Sequence, residues 1–217
     1  MRRCHYTYSD WVTAQRDRVL DAAIHLLGTQ GLKALTHRRI DQHAEVPPGS
    51  TSNYFRTRDA LLRGVGDAIL QREVAGMGAA FTPRSAASFV DALVGLVYRT
   101  TEDQRTLTSA RLALFMEASH DPGLRETLGQ GRAILGSALQ RLLQDLGASD
   151  PDTSARAIMA CAEGLILHRV ARHDDSDIRP VLDLVVRAAL GTPAATGEKR
   201  PGSATTVPRS PGPQTRR

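Results

Sequence analysis

The 217-residue chain suits one all-helical unit, or a small domain joined to a medium one, and 41% hydrophobic residues are enough for a real core. Aromatics make up 4% while Ala and Leu abound, which favours helix packing over a sheet. The net charge of +5 is unevenly spread: residues 1–59 carry nine Lys and Arg against six Asp and Glu, residues 60–190 fourteen against sixteen, and residues 191–217 five against one. A basic head on a mildly acidic body fits a polyanion partner at the N-terminal end. The two cysteines, Cys4 and Cys161, form neither a disulfide framework nor a CxxC pair, which fits a reducing cytoplasm. No apolar run approaches the ~18 residues that span a membrane, and Arg2 and Arg3 begin a stretch too polar for a secretory signal.

Residues 1–10 are polar and predicted to be loose. Thr13 is placed to cap a helix running to about Gln30, with Val19, Ala22, Ala23, Leu26 and Leu27 on one buried stripe. Gly31 follows, where a left-handed residue is wanted. Thr36 is the next N-cap, and His37 to Ala44 form a helix of barely two turns, too short to stand alone in water. Val46 plugs a turn, Pro47 and Pro48 preset the backbone for the next helix, and Gly49 to Asn53 offer small polar side chains closed by Tyr54 and Phe55. This segment is a poor helix by propensity. Its composition makes sense if close approach to a major groove about 12 Å wide matters more than helix strength. The stretch from Thr36 to Asp59 is therefore predicted to be a helix-turn-helix that meets DNA. An ordinary capped loop entering the next helix is the alternative.

Thr57 caps a long helix with Leu61, Leu62, Val65 and Ile69 buried, reaching about Ala79 and stopped by Phe81-Thr82-Pro83. Five further helices are predicted over 86–98, 102–119, 122–146, 151–172 and 178–190. Asp121-Pro122 and Asp150-Pro151 are cap and first-turn pairs. No strand and no repeat is predicted. Residues 191–217 collapse to Gly, Pro, Ser, Thr, Ala and Arg, the composition of a disordered basic tail. The fold class is all-α, about nine helices. A helix-turn-helix DNA-binding domain over 1–57 precedes a helical effector-binding and dimerisation domain over 58–190 and the tail over 191–217.

The segments RVLDAAIHLLGTQG, ALTHRRIDQHAEV and GSTSNYFRTRDALL resemble the TetR family of bacterial transcription regulators over Arg16 to Leu62. LALFMEASHDPGLRETL and AEGLILHRVAR are similar to its later helices, so the resemblance extends over 12–190. The chain departs from the family pattern at Glu45, which stands where Gly is usual, at Pro47 and Pro48, and at Ser52, which replaces a common Tyr. The resemblance implies groove contacts from His37 and Arg38, base-facing positions at Pro48, Gly49, Ser50 and Ser52, and phosphate-facing positions at Thr36, Thr51, Tyr54 and Arg58. Arg38 has the fork geometry for a guanine edge. Phe55 is expected to be buried.

The helices 151–172 and 178–190 are apolar on more than one side, so each needs two partners. A two-fold dimer through these helices is expected, with Cys161, Leu165, His168, Leu182, Val185 and Val186 at the interface. The resemblance implies the same dimer on a pseudo-palindromic double-stranded operator, repressing until a small hydrophobic or amphipathic effector binds among the middle helices. Candidate polar liners are Tyr98, Arg111, Glu117, His120 and Glu163, with Phe89, Phe115 and Met116 as walls. The alternative is a helical enzyme, or a ligand-binding protein with a non-functional helix-turn-helix. Glu117-x-x-His120 has the spacing of one half of a di-iron site, but a second such motif is missing, and no HExxH, GxSxG, P-loop or GxGxxG occurs. No cofactor, metal or catalytic residue is expected.

Overall fold

A computed structural model of the chain describes residues 8–77 and 82–191. The basic tail beyond Gly191, Cys4, and the expected end of the long helix at Ala79 and Phe81 lie outside the described residues. Nine α-helices and one 3-10 turn make up the described residues: α1 Tyr8–Gln30, the turn Leu32–Ala34, α2 His37–Ala44, α3 Ser50–Tyr54, α4 Arg58–Met77, α5 Ala86–Thr101, α6 Arg105–Glu117, α7 Pro122–Asp145, α8 Pro151–Arg172 and α9 Arg179–Ala189.

Helix starts follow local chemistry. The Thr36 hydroxyl accepts the Arg39 backbone N–H at 3.4 Å, the Asp121 carboxylate accepts that of Leu124 at 3.0 Å, and Asp150 accepts that of Thr153 at 3.1 Å. Each satisfies a donor that an open helix end would leave orphaned. Pro122 and Pro151 occupy the first turn, where the missing N–H costs nothing. Three expected boundaries move by three residues or more. The first helix begins at Tyr8, so Thr13 lies within it rather than at its start; no Pro or Gly between them interrupts the helix. The fifth helix continues to Thr101 and the sixth begins at Arg105. There Arg169 of α8 donates to the Thr101 hydroxyl and the Glu102 carboxylate, both at 3.1 Å, a tertiary tie that fixes the corner.

Two apolar clusters hold the molecule. One joins α1, α2, α4, α6 and the start of α7 around Val19, Leu27, Ile40, Phe55, Leu62 and Leu114. The other joins α5, the end of α7, α8 and α9 around Phe89, Val97, Leu143, Ile158, Ile178 and Leu182. The first cluster runs straight across residue 57, so the N-terminal helices rest on α4 and α6 rather than standing apart.

Leu182 and Val186, expected at a dimer interface, are 1% and 0% exposed and fill the second cluster. Cys161, Leu165 and Val185 pack partly against that cluster, and His168 is half-buried. The apolar side chains left facing outward on the same two helices are Leu167, Val181 and Leu184, the last 65% exposed. Both stripes recur at helical spacing; of the one expected at the interface, Leu182 and Val186 face in and the other four side chains are half-buried.

Candidate functional site

The N-terminal helices build an exposed edge from buried supports. α2 ends at Glu45, whose backbone is left-handed at φ 52°. Arg18 of α1 donates to the Ala44 carbonyl at 2.6 Å and the Glu45 carbonyl at 3.2 Å, satisfying acceptors that the helix end leaves open. Val46 is buried beneath the turn, as its plug role requires. α3 follows, only five residues long, with Phe55 buried at its end and the Arg16 guanidinium 5.6 Å over the Phe55 ring.

Of the side chains expected to face DNA, Thr36, Arg38, Pro48, Ser52 and Arg58 are exposed together with the Gly49 backbone. Arg38 has no protein partner among the described residues, so its guanidinium is available. Arg39 beside it is tied to Gln30. Arg58 reaches the Leu35 carbonyl at 3.4 Å while staying exposed. The expectation fails for Ser50 and Thr51, which are 8% and 0% exposed. The Ser50 hydroxyl turns back to the Pro47 carbonyl at 2.7 Å, and that of Thr51 donates to Asp41 at 2.6 Å. Neither side chain is on the reading edge. Tyr54 is half-buried and donates to Gln15 at 2.9 Å. His37 is half-buried, with a shielded Nε2. Asn53, not among the expected contacts, is exposed next to Ser52; its place on a five-residue helix follows once Thr51 is known to point inward.

A cavity of about 470 Å³ lies between α4, α5, α6, α7 and α8. Its walls are apolar, among them Leu93, Leu96, Leu139, Ile158 and Ile166; the polar side chains are Glu73, Thr100, Arg111 and Glu163. A smaller recess of about 40 Å³ adjoins it, sharing Glu73, Arg111 and Glu163 and adding Phe115. Of the residues expected to meet an effector, Arg111 and Glu163 line both cavities and Phe115 lines the smaller. Tyr98 does not: its ring lies 4.7 Å beneath the Arg169 guanidinium instead. Glu117, the last residue of α6, and His120, in the turn after it, also lie outside, and no group of three metal-ligating side chains forms among the described residues. Phe89 is core at 0% exposure, and Met116 is 73% exposed on the outside.

The sequence does not single out Glu73 and Val74 of α4, because the apolar spacing that marks the inner face of that helix is legible only as far as Ile69. Glu73 Oε1 lies 2.9 Å from Arg111 Nε, a charge contact without the alignment of a good hydrogen bond. Burial pushes the Glu73 carboxyl above its ordinary value, and the neighbouring Arg111 charge only partly opposes this. Glu163 is paired with Arg132 at the more open side. No described helix is long and apolar enough to cross a membrane.

The sequence matches the family described as bacterial regulatory proteins, tetR family, over residues 19–65, and the tetracyclin repressor-like C-terminal domain over residues 84–192. The HTH-type transcriptional regulator BetI of Rhizobium meliloti (strain 1021) is 29% identical over 160 residues, covering 71% of this chain and 77% of its own. The crystal structure of the multidrug binding protein EbrR complexed with ethidium superposes with a TM-score of 0.65 at 26% identity, over 79% of this chain and 97% of that one. A transcriptional regulator from Rhodococcus sp. Rha1 shares the fold at a TM-score of 0.71 and 18% identity, over 81% of this chain and 95% of that one. With an exposed, buttressed helix-turn-helix at one end and both of the family's domains matched, the chain belongs to the TetR family and is a DNA-binding transcriptional regulator.

Proposed function

We propose that the protein works in the cytoplasm as a homodimeric repressor, holding a pseudo-palindromic operator until a small amphipathic effector enters the cavity. The observation that carries this reading is the course of α4. Its first turn supplies exposed Arg58 beside the reading edge, and its later turns supply Glu73 and Val74 to the cavity wall. A ligand that moves α4 therefore moves the mounting of α3. The exposed Leu167, Val181 and Leu184 support a two-fold interface through α8 and α9, which would set two recognition helices about one DNA turn apart.

The effector we favour has an apolar body and a positive charge. The cavity wall is mostly aliphatic, and both carboxylates on it, Glu73 and Glu163, offer only one oxygen to an arginine. EbrR, complexed with ethidium, a planar aromatic cation, points the same way. The test is binding of the purified protein to duplexes flanking its own gene, at moderate salt, with and without ethidium. The expected result is a retarded complex on one segment that weakens steeply with salt and is released by the dye at concentrations that leave a control repressor bound. Equal affinity for flanking and random DNA would overturn the operator reading; specific binding untouched by ethidium, with no dye bound, would overturn the cationic effector.

A further inference from the structure

Asp41, in the middle of α2, is 5% exposed. A buried carboxylate is costly unless its oxygens are matched by donors. Here the donors come from the start of the recognition helix. Oδ2 accepts the Gly49 backbone N–H at 2.7 Å, and Oδ1 accepts both the Thr51 backbone N–H at 2.8 Å and the Thr51 hydroxyl at 2.6 Å. α3 needs such help. Five residues cannot hold a helix in water, and its N-cap is Gly49, which has no side chain to cap with and sits at φ 90°. The cap comes instead from the neighbouring helix, and it also places negative charge at the positive end of α3.

A cap from within a helix fixes only that helix. A cap from another helix fixes how the two sit. The Thr51 hydroxyl is held toward α2, which sets the rotation of α3 about its own axis. One and two residues on, at about 100° per step, Ser52 and Asn53 come to the outside, and both are exposed. We infer that Asp41 is a positioning residue for sequence recognition: its carboxylate seats and orients α3 so that Ser52, Asn53 and Pro48 meet a groove in one fixed pose. This rests on the reading that α3 faces an operator. Without Asp41 the helix would keep the Phe55 and Val46 anchors but lose the contact that sets its phase, and a reading surface without fixed phase loses discrimination before it loses attraction to phosphates.

The test uses the full-length protein. The wild type first selects a duplex from a randomised pool. Affinities for that duplex and for a scrambled one of the same composition are then compared for the wild type, Asp41→Asn, Asp41→Ala, Thr51→Val and Thr51→Ser. The measurement is made at one salt concentration and at a temperature where each retains wild-type helical circular dichroism. Thr51→Ser, which keeps the hydroxyl, should match the wild type. Thr51→Val, Asp41→Asn and Asp41→Ala should lower the selected-over-scrambled ratio in that order, the last by about tenfold or more, with affinity for scrambled DNA held by phosphate contacts to within about threefold. Amide exchange at Gly49 and Thr51 should quicken in both Asp41 variants while α1 and α4 stay protected. An unchanged ratio in folded Asp41→Asn, or selected and scrambled affinities falling together, would overturn the assignment in favour of a purely stabilising role. If Asp41→Ala does not fold, Asp41→Asn and Thr51→Val decide. If the wild type enriches no sequence, the operator reading itself falls, and this inference with it.

Discussion

Gly28 lies where α1 crosses α6, and a Cβ added to it would stand 2.1 Å from the Thr106 carbonyl oxygen and 2.9 Å from the carbonyl carbon. Both obstacles are backbone, so no side chain can swing aside. Opening the gap from 2.1 Å even to 3.0 Å requires the helices to part by about 0.9 Å. Overpacking of this kind costs about 1–3 kcal/mol, and a clash with backbone belongs at the upper end. Alanine returns up to about 1 kcal/mol through its better helix propensity. The net expectation for Gly28→Ala is a loss of about 2 kcal/mol, a fall in Tm of roughly 4–8 °C for a chain of this size. Gly95 is the matched control. It lies within α5, exposed, with nothing within 4 Å of an added Cβ. Gly95→Ala should therefore raise Tm by a few degrees, through the propensity gain of up to about 1 kcal/mol alone. Circular dichroism melts of the three proteins at one concentration decide the matter. If Gly28→Ala is as stable as Gly95→Ala, the α1–α6 crossing is looser than these distances require. Since that crossing carries the DNA-binding helices, Gly28→Ala should also weaken the effect of effector on operator affinity.

Arg38→Ala should cost about 1–3 kcal/mol of specific affinity and relax preference at one base position, whereas Arg58→Ala should weaken all sequences alike and lower the salt slope by about one; salt titrations on selected and scrambled duplexes check both, and the reverse pattern would show the two roles are exchanged. Leu184→Glu would remove an apolar contact twice from the proposed two-fold interface, at about 1.5–3 kcal/mol per copy, so sedimentation should show the dimer dissociating at least about a hundredfold more readily; an undiminished dimer would place the interface elsewhere. Glu73→Gln probes the buried carboxyl. Because burial raises its folded pKa above the ordinary value of 4.5, the folded state holds that proton more firmly, and the stability contribution present at low pH is lost as pH rises through the raised value. Glutamine cannot ionise, so the variant should gain in Tm relative to wild type between pH 4.5 and neutrality; a gap that stays constant or narrows with pH would refute the burial argument.

Legibility in the sequence depends on the range of the interactions involved. The bounds of α2 and α8 are legible because Thr36, Asp150 and Pro151 act within one turn of themselves. The exposure of Ser52 is legible for a similar reason, since the turn at Val46 and the buried Phe55 bracket its segment, and Arg38 and Arg58 each stand in the first turn of a capped helix. The inward turn of Thr51 is not, because a carboxylate ten residues earlier decides it. Nor is the outer stripe of α9. Val181 and Leu184 are as apolar as Leu182 and Val186, and only the packing of α5 and α8 against that helix selects which pair is buried. In the cavity, Arg111 and Glu163 stand out as charges among apolar neighbours, while Glu73 is recognisable only once α4 is seen to pass behind α6.

The position of Glu73 also separates two properties of an effector that are often treated as one. A ligand shifts an equilibrium only through the difference between its affinities for the two states, and moving a population from 1:99 to 99:1 takes about 5.5 kcal/mol of that difference. If α4 moves as proposed while the cluster of α5, α7, α8 and α9 stays packed, contacts with Leu93 on α5, Leu139 on α7 and Ile158 on α8 add equally to both states and contribute affinity without release. Contacts with Glu73 and Val74 are different in kind, because these residues lie on α4, the element that the proposed release mechanism moves. Arg72, the residue before Glu73, is paired with Asp21 of α1, so one turn of α4 faces both the cavity and the DNA-binding helices. A compound that fills the aliphatic walls but leaves Glu73 with Arg111 should therefore bind and compete without releasing DNA, and one that draws Glu73 away should release it even when its apolar contacts are few.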